Sequence, residues 1–359
     1  MAPALDSALH YPFGGTLPES GRTLEVAPGV RWLRMGLPFA LDHINLWLLA
    51  DRDGDEREGW AIVDCGIDDD ATRAAWESVF EHELKGLPVL RVIVTHMHPD
   101  HLGLAHWLCE RWTTAERECR LWISATDWSA GRMASQGTIG FGGEGPARFF
   151  ARHGLTDPEA LGKVRARSDY YPRLVPKVPG SYRRLMDGQR LRIGEQQWFC
   201  SAGYGHAPEH IALHCPALGV LISGDMVLPR ISTNVSVIDL EPEGDPLPLF
   251  LDSIERLRVL STDTLVLPSH GKPFVGLHTR IDQLQAHHVE RLAEVLMACA
   301  EAPKSAADLL PVLFRRPLDL HQTTFAMGEA VAHLHALACQ GRLRGVAGAD
   351  GVMRFGSVA

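Results

Sequence analysis

The segment that most constrains this chain is a hydrophobic strand that stops at a cluster of metal-binding side chains. VLRVIVTH, residues 89–96, is the clearest β-branched run, and it leads straight into Thr95-His96-Met97-His98-Pro99-Asp100-His101. Zinc and related cations take nitrogen and carboxylate ligands at about 2.0–2.2 Å. A straight strand cannot aim three imidazoles and a carboxylate at one place, but a tight loop at its end can. The two-residue alternation puts His96 and His98 on one face. Asp100 and His101 fall beyond the turn, where they can face a second cation. The competing reading is a solvated polar loop, and this composition argues against it.

The flanking sequence alternates strand and helix patterns, as a layered α/β fold requires. Residues 30–51 read as paired strands, with Ile44, Leu46 and Leu48 at alternate positions. GWAIVDCGI (59–67) reads as a short buried strand, 69–84 and 102–112 as helices, and RLWISATD (120–127) as another strand. Residues 129–185 differ: glycine-rich GTIGFGGEG (137–145) precedes a stretch rich in Arg, Tyr and Pro. We expect an insertion of short helices and mobile loops there. Strands resume at 197–204, 210–216, 218–225 and 263–271, and an amphipathic helix covers roughly 278–300. From about 301, SAAD (305–308) opens a helix, Phe325, Val331, Leu334 and Ala338 mark a second, and strands flank an Asp350-Gly351 turn as a hairpin. The expected division is a catalytic domain over 1–300 and a small winged-helix-like domain over 301–359.

His-x-His-x-Asp-His after a strand resembles the signature of the metallo-β-lactamase superfamily. The resemblance covers roughly residues 25–290. It implies an α/β fold: a four-layer αββα sandwich with metals at one edge of the paired sheets. The family's early Asp then matches Asp64 in VDCG, and its third histidine matches His206 in Gly205-His206-Ala207-Pro208-Glu209-His210. Its bridging carboxylate matches Asp225 in LISGD, and its last histidine matches His270 in LPSHG. The implied arrangement gives one metal His96, His98 and His206, gives the other Asp100, His101 and His270, and lets Asp225 and a hydroxide bridge them. Asp100 would orient that hydroxide and accept its proton. Two divalent metals are expected, zinc first, with iron or manganese suiting the same donors.

Some positions depart from the pattern. Many hydrolytic relatives read His-Thr-Pro-Gly-His where this chain has His-Ala-Pro-Glu-His. Glu209 would accept a hydrogen bond from a ligand imidazole or be solvated. His210 is expected beside the metals rather than on them, Asp64 behind a ligand, and His214 in a structural role. His98 stands where the flavo-diiron branch has Glu, which argues against that branch. Cys65 reads as a buried thiol. The C-terminal unit is similar, by position and element order, to the winged-helix tail of the β-lactamase-like-protein-2 type. Its second helix (322–340) has almost no Lys or Arg, which fits a cap over the site or a contact in a homodimer rather than a DNA-reading helix.

Bulk properties narrow the partners. The net charge of -9 disfavours non-specific nucleic-acid binding. The seven cysteines contain no CxxC pair, and the N-terminus lacks a basic start and an apolar run. A reduced, cytoplasmic protein with no membrane span is therefore expected. The 145–184 stretch carries nine Lys and Arg against Asp157, Glu159 and Asp169. It offers anion recognition, with Tyr170, Tyr171 and Arg173 as candidate substrate contacts. The favoured reading is a dinuclear hydrolase acting on a small, anionic ester-like substrate: an acylglutathione or acyl-CoA thioester, or a lactone. The rivals are a metal-dependent endoribonuclease and a mononuclear-iron persulfide dioxygenase.

Overall fold

The computed structural model describes residues 8–137 and 142–358. Residues 138–141 of the glycine-rich stretch lie outside them. The first sheet has seven strands in chain order: β1 (Leu24–Ala27), β2 (Val30–Gly36), β3 (His43–Arg52), β4 (Glu58–Val63), β5 (Val89–Ile93), β6 (Arg120–Ser124) and β7 (Tyr182–Leu185). Its first four strands pair antiparallel and the rest parallel. The second sheet comprises β8 (Arg190–Ile193), β9 (Gln196–Gly203), β10 (His210–Cys215), β11 (Val220–Gly224), β12 (Leu265–Pro268) and β13 (Phe274–Val275), ordered from 13 down to 8.

Alternation along the strands builds the layers. Trp32, Trp47 and Ile93 of the first sheet face Trp198, Ile211 and Ile222 of the second. The next residues along point outward: Leu46, Leu48 and Val92 pack under helices α1 (Asp70–His82), α2 (Pro99–Leu102), α3 (Ala105–Trp112), α4 (Ala125–Ser135) and, in the insertion, α7 (Tyr170–Leu174). Strands buried on both faces read as continuous apolar runs, as residues 60–63 of β4 do. On the far side, Leu221 and Val266 are covered by α8 (Pro246–Arg256) and α9 (Leu277–Glu301). The result is the four-layer αββα sandwich.

The remaining elements make one further core. Insertion helices α5 (Glu144–Arg152) and α6 (Pro158–Arg165) contribute Phe149, Phe150, Leu161 and Val164. The end of α9, then α10 (Ala306–Leu313), α11 (Leu320–Cys339) and the hairpin β14 (Leu343–Ala347) and β15 (Met353–Ser357), supply the rest. The insertion and the C-terminal unit therefore bury each other.

One expected element changes its bounds, and two further elements add to the expected set. The strand expected over 120–127 ends at Ser124, because the Ser124 hydroxyl accepts the Asp127 N–H and starts α4. Strand β8 is short and exposed at alternate positions, so it gave little signal. Helix α8 went unread, although Pro246 opens it and Leu247, Phe250 and Ile254 share its inner face. Among the described residues no helix is long and apolar enough to cross a membrane.

Two outcomes follow from this packing. Ile222→Ala, in the core between the sheets, should cost about 2–5 kcal/mol in urea unfolding of the metal-free protein. Burial on α11 pushes the Glu329 carboxyl up to about 7, against partial relief from Asn234 and Arg291. A raised carboxyl stabilises the fold fully below its unfolded value of 4.5, and that contribution is lost as pH rises through 7. Glu329→Gln should therefore gain on wild type by on the order of 1–3 kcal/mol between pH 5 and pH 8; parallel stability curves over that range would refute this.

Candidate metal centre

Every expected ligand follows the end of a strand on one edge of the sandwich: His96 to His101 after β5, His206 after β9, Asp225 after β11 and His270 after β12. Their side chains converge as two groups. His96, His98, His206 and Asp225 form one, and Asp100, His101 and His270 the other; within each, the ligand atoms lie within 4.8 Å of one another.

In the first group His96 Nε2 is 2.9 Å from His98 Nδ1 and 3.2 Å from His206 Nε2. His206 Nε2 is 3.3 Å from Asp225 Oδ2. In the second, His270 Nε2 is 3.4 Å from Asp100 Oδ2, and His101 Nε2 is 3.7 Å from the same oxygen. Asp225 spans both groups, because its Oδ1 lies 3.4 Å from His270 and 3.6 Å from His101.

Hydrogen bonding alone does not satisfy these atoms. His96 Nε2 meets two other ring nitrogens, yet a neutral imidazole carries one proton in all. His101 Nε2 and Asp225 Oδ1 are buried with no hydrogen-bond partner. A tetrahedral cation with bonds near 2.0–2.1 Å would hold its ligand atoms about 3.3 Å apart. The spacings and the orphaned atoms both fit metal ions.

The electrostatics agree. Burial drives His96 well below the usual imidazole range, and the neighbouring imidazoles push it further. His98 falls to about 3, mainly through burial and then His206. Burial also opposes charge on His101, but Asp64, Asp100 and Asp225 outweigh it and hold this ring at about 9. Asp225 stays well below the carboxylate range: burial resists its charge, and His270 and His101 overcome that. The carboxylates thus favour positive charge close to themselves, which cations would supply in a metal-loaded site.

Supporting groups aim the ligands. His101 Nδ1 lies 2.9 Å from Asp64 Oδ2, which leaves Nε2 facing the site. Asp64 itself sits at φ +63° and accepts the Thr95 N–H, so it also holds the start of the loop. His206 Nδ1 donates to the Asn234 carbonyl and His270 Nδ1 to the His43 carbonyl. His210 takes no place among the converging ligand atoms; its Nε2 accepts the Asp225 N–H at 3.2 Å. Gly224 must be glycine, since it has φ +53° and a Cβ there would meet His210 Nε2 at 2.1 Å.

Two supports were not anticipated. Asp127, fully buried, accepts the Met97 N–H with one oxygen and the Glu209 N–H with the other, tying the His98 loop to the His206 loop. Its signal was the Ser124-x-x-Asp127 capping pattern. Asn45, the polar residue within the apolar β3 run, donates to the Pro268 and Gly271 carbonyls and fixes the His270 loop across the sheets.

Other candidates prove to be differently employed. The Glu209 carboxylate accepts the Thr126 hydroxyl at 3.0 Å and not a ligand imidazole, because its backbone is held toward α4. Tyr171 is buried and donates to the Met97 carbonyl, so it supports the loop and is not open to stack on a substrate. Tyr170 packs among Phe39, His321 and the Arg167 guanidinium. Arg173 is exposed and is not among the residues that line the cavity beside His98 and His206. Three of the nine cations of the basic stretch are paired: Lys163 with Glu159, Arg165 with Glu144 and Lys177 with Glu110. Cys65 is buried, as expected.

A cavity of about 410 Å³ adjoins His98 and His206. Its walls come from α4, α5, the 234–249 segment and α11.

Comparison with known proteins agrees with this geometry. Residues 41–270 match the family model of the metallo-beta-lactamase superfamily, and 292–358 match that of the metallo-beta-lactamase-like C-terminal domain. The crystal structure of a beta-lactamase domain protein from Burkholderia ambifaria is similar at 57% identity and TM-score 0.93, over 99% of this chain and 100% of that one. The metallo-beta-lactamase family protein TTHA1429 from Thermus thermophilus is similar at 29% identity and TM-score 0.75, over 93% of this chain and 100% of that one. The probable metallo-hydrolase YqjP of Bacillus subtilis is 24% identical, over 86% of this chain and 92% of that protein.

Asp127→Ala should loosen both loops at once. Competitive chelator titration should show metal affinity lower by about 10–100-fold, with Asp127→Asn intermediate because it keeps one acceptor oxygen.

Proposed function

This chain belongs to the metallo-β-lactamase superfamily, and from that premise we propose that it is a dinuclear metal-dependent hydrolase of small ester-like bonds, thioesters or lactones. The observation that carries the reading is Asp225, whose two oxygens face two separate sets of imidazole ligands. A site for one ion would leave Asp100, His101 and His270 converging on nothing.

The residues divide the work. His96, His98 and His206 would hold one cation and Asp100, His101 and His270 the other, with Asp225 facing both groups. When bound, such a pair supplies Lewis acidity that polarises a carbonyl oxygen and lowers the pKa of water toward neutrality. Asp100, beside His101 and His270, accepts the proton of the attacking water. The water oxygen bonds to the acyl carbon, the C–S or C–O bond breaks, and the proton passes to the departing thiolate or alkoxide. Zinc is the first choice of metal, with iron and manganese compatible with the donors.

The pairing of Lys163, Arg165 and Lys177 with acidic neighbours weakens the case for a nuclease, which needs unpaired cations along a phosphate track. A mononuclear-iron dioxygenase would use one ligand group alone.

Elemental analysis of the isolated protein should give two metals per chain, and one iron per chain would count decisively against a dinuclear hydrolase. The metal-loaded protein should cleave simple thioesters or lactones and lose that activity on chelation. Asp100→Asn should lower kcat by about 10²–10⁴-fold. Full activity in rigorously metal-free protein would end the proposal.

A further inference from the structure

The cavity beside His98 and His206 has a character that the metal chemistry does not require. Phe149 and Phe150 from α5, Val237 from the loop before α8, Leu249 from α8 and Phe325 from α11 form apolar walls. Three large apolar side chains at its edge stay exposed: Ile238 at 47%, Leu240 at 52% and Leu249 at 52%. Contiguous apolar exposure of this kind marks a binding surface more often than an accident of folding. The volume lies within the usual range for small-molecule sites, about 300–1,000 Å³.

The charge of the lining narrows the occupant. Arg167 is the cation among the described lining residues, and it already donates to His321 Nδ1 at 2.9 Å. Asp239, Glu241 and Asp245 also line the space. A polyphosphate or nucleic acid would meet net repulsion there, whereas a neutral hydrocarbon would not.

The wall is also preformed. The Val237 N–H donates to the Gly328 carbonyl at 3.1 Å, and a Cβ on Gly328 would meet Ser236 at 2.7 Å. Glycine lets α11 lie directly on this segment. Because α5 and α11 share one core, the insertion and the C-terminal unit close the cavity together.

We infer that this cavity binds the apolar acyl group of the substrate, so that the enzyme selects medium- and long-chain acyl esters or thioesters over acetyl ones. The inference rests on the hydrolase reading for the reaction but not for the binding. Burying a methylene is worth about 0.8 kcal/mol, close to fourfold in kcat/KM. With N-acetylcysteamine thioesters from acetyl to decanoyl and zinc-loaded protein, kcat/KM should climb about threefold to fourfold per methylene until the cavity is full. Leu249→Glu and Ile238→Glu alter exposed positions that tolerate a charge. Each should lower the decanoyl-to-acetyl ratio by about tenfold, with thermal unfolding checked for each variant. Calorimetry of decanol with metal-free protein supplies a readout independent of turnover: wild type should bind, and both variants should bind more weakly.

The outcomes separate. Thioester hydrolysis with no dependence on chain length, together with absent decanol binding, overturns the acyl inference and leaves the hydrolase standing. Decanol binding that both variants weaken, with no thioester or lactone hydrolysed at any length, supports the cavity assignment and removes the hydrolase.

Discussion

A buried carboxylate that faces imidazole nitrogens from two directions is the constraint around which this structure is arranged. Asp225 lies 3.3 Å from His206 through one oxygen and 3.4 Å from His270 through the other. A carboxylate removed from water costs several kcal/mol unless positive charge stands close to it. The fold answers by bringing ligands from separate strands around it and by burying two of their nitrogen and oxygen atoms with no internal partner. Cations would satisfy those atoms, and their binding would then be linked to folding at this edge.

Holding those ligands still is the task of residues that touch no metal. Asp64 fixes His101, Asp127 joins the His98 and His206 loops, and Asn45 reaches from the first sheet to the loop of the last histidine in the second. Each is a buried polar group placed where two ligand-bearing loops or the two sheets meet. A half-ångström error in any loop would be felt at the centre, so these supports belong to the site as much as its ligands do.

The insertion and the C-terminal unit look independent along the chain, separated by the whole of the second sheet. In space they share a core of Phe149, Phe150, Leu161, Met327 and Leu334. That core explains why α11 is largely apolar and carries no Lys or Arg: one face fills the shared core and the neighbouring positions Phe325 and Gly328 finish a cavity next to the candidate metal ligands. Sequence distance thus hides a joint structure whose consequence is the shape of the space a substrate enters.

The local chemistry was legible before any coordinates. Strand β5 and the histidine cluster after it identify themselves, because β-branched alternation and a dense run of donors are local signals. The hairpin turn at Asp350-Gly351 and the Ser305 cap are equally local. Family resemblance carried the reading to Asp64, His206, Asp225 and His270, each at a strand end. Tertiary structure decided the rest. It set the Tyr171 hydroxyl on the Met97 carbonyl and the Glu209 carboxylate on Thr126, gave Asp127 and Asn45 their clamping roles, and paired three of the insertion's cations with acids. The reason is physical: whether a side chain binds a ligand, fills a core or ties two loops depends on which distant backbone group comes within hydrogen-bonding distance. Nothing in a residue's own neighbourhood along the chain contains that distance.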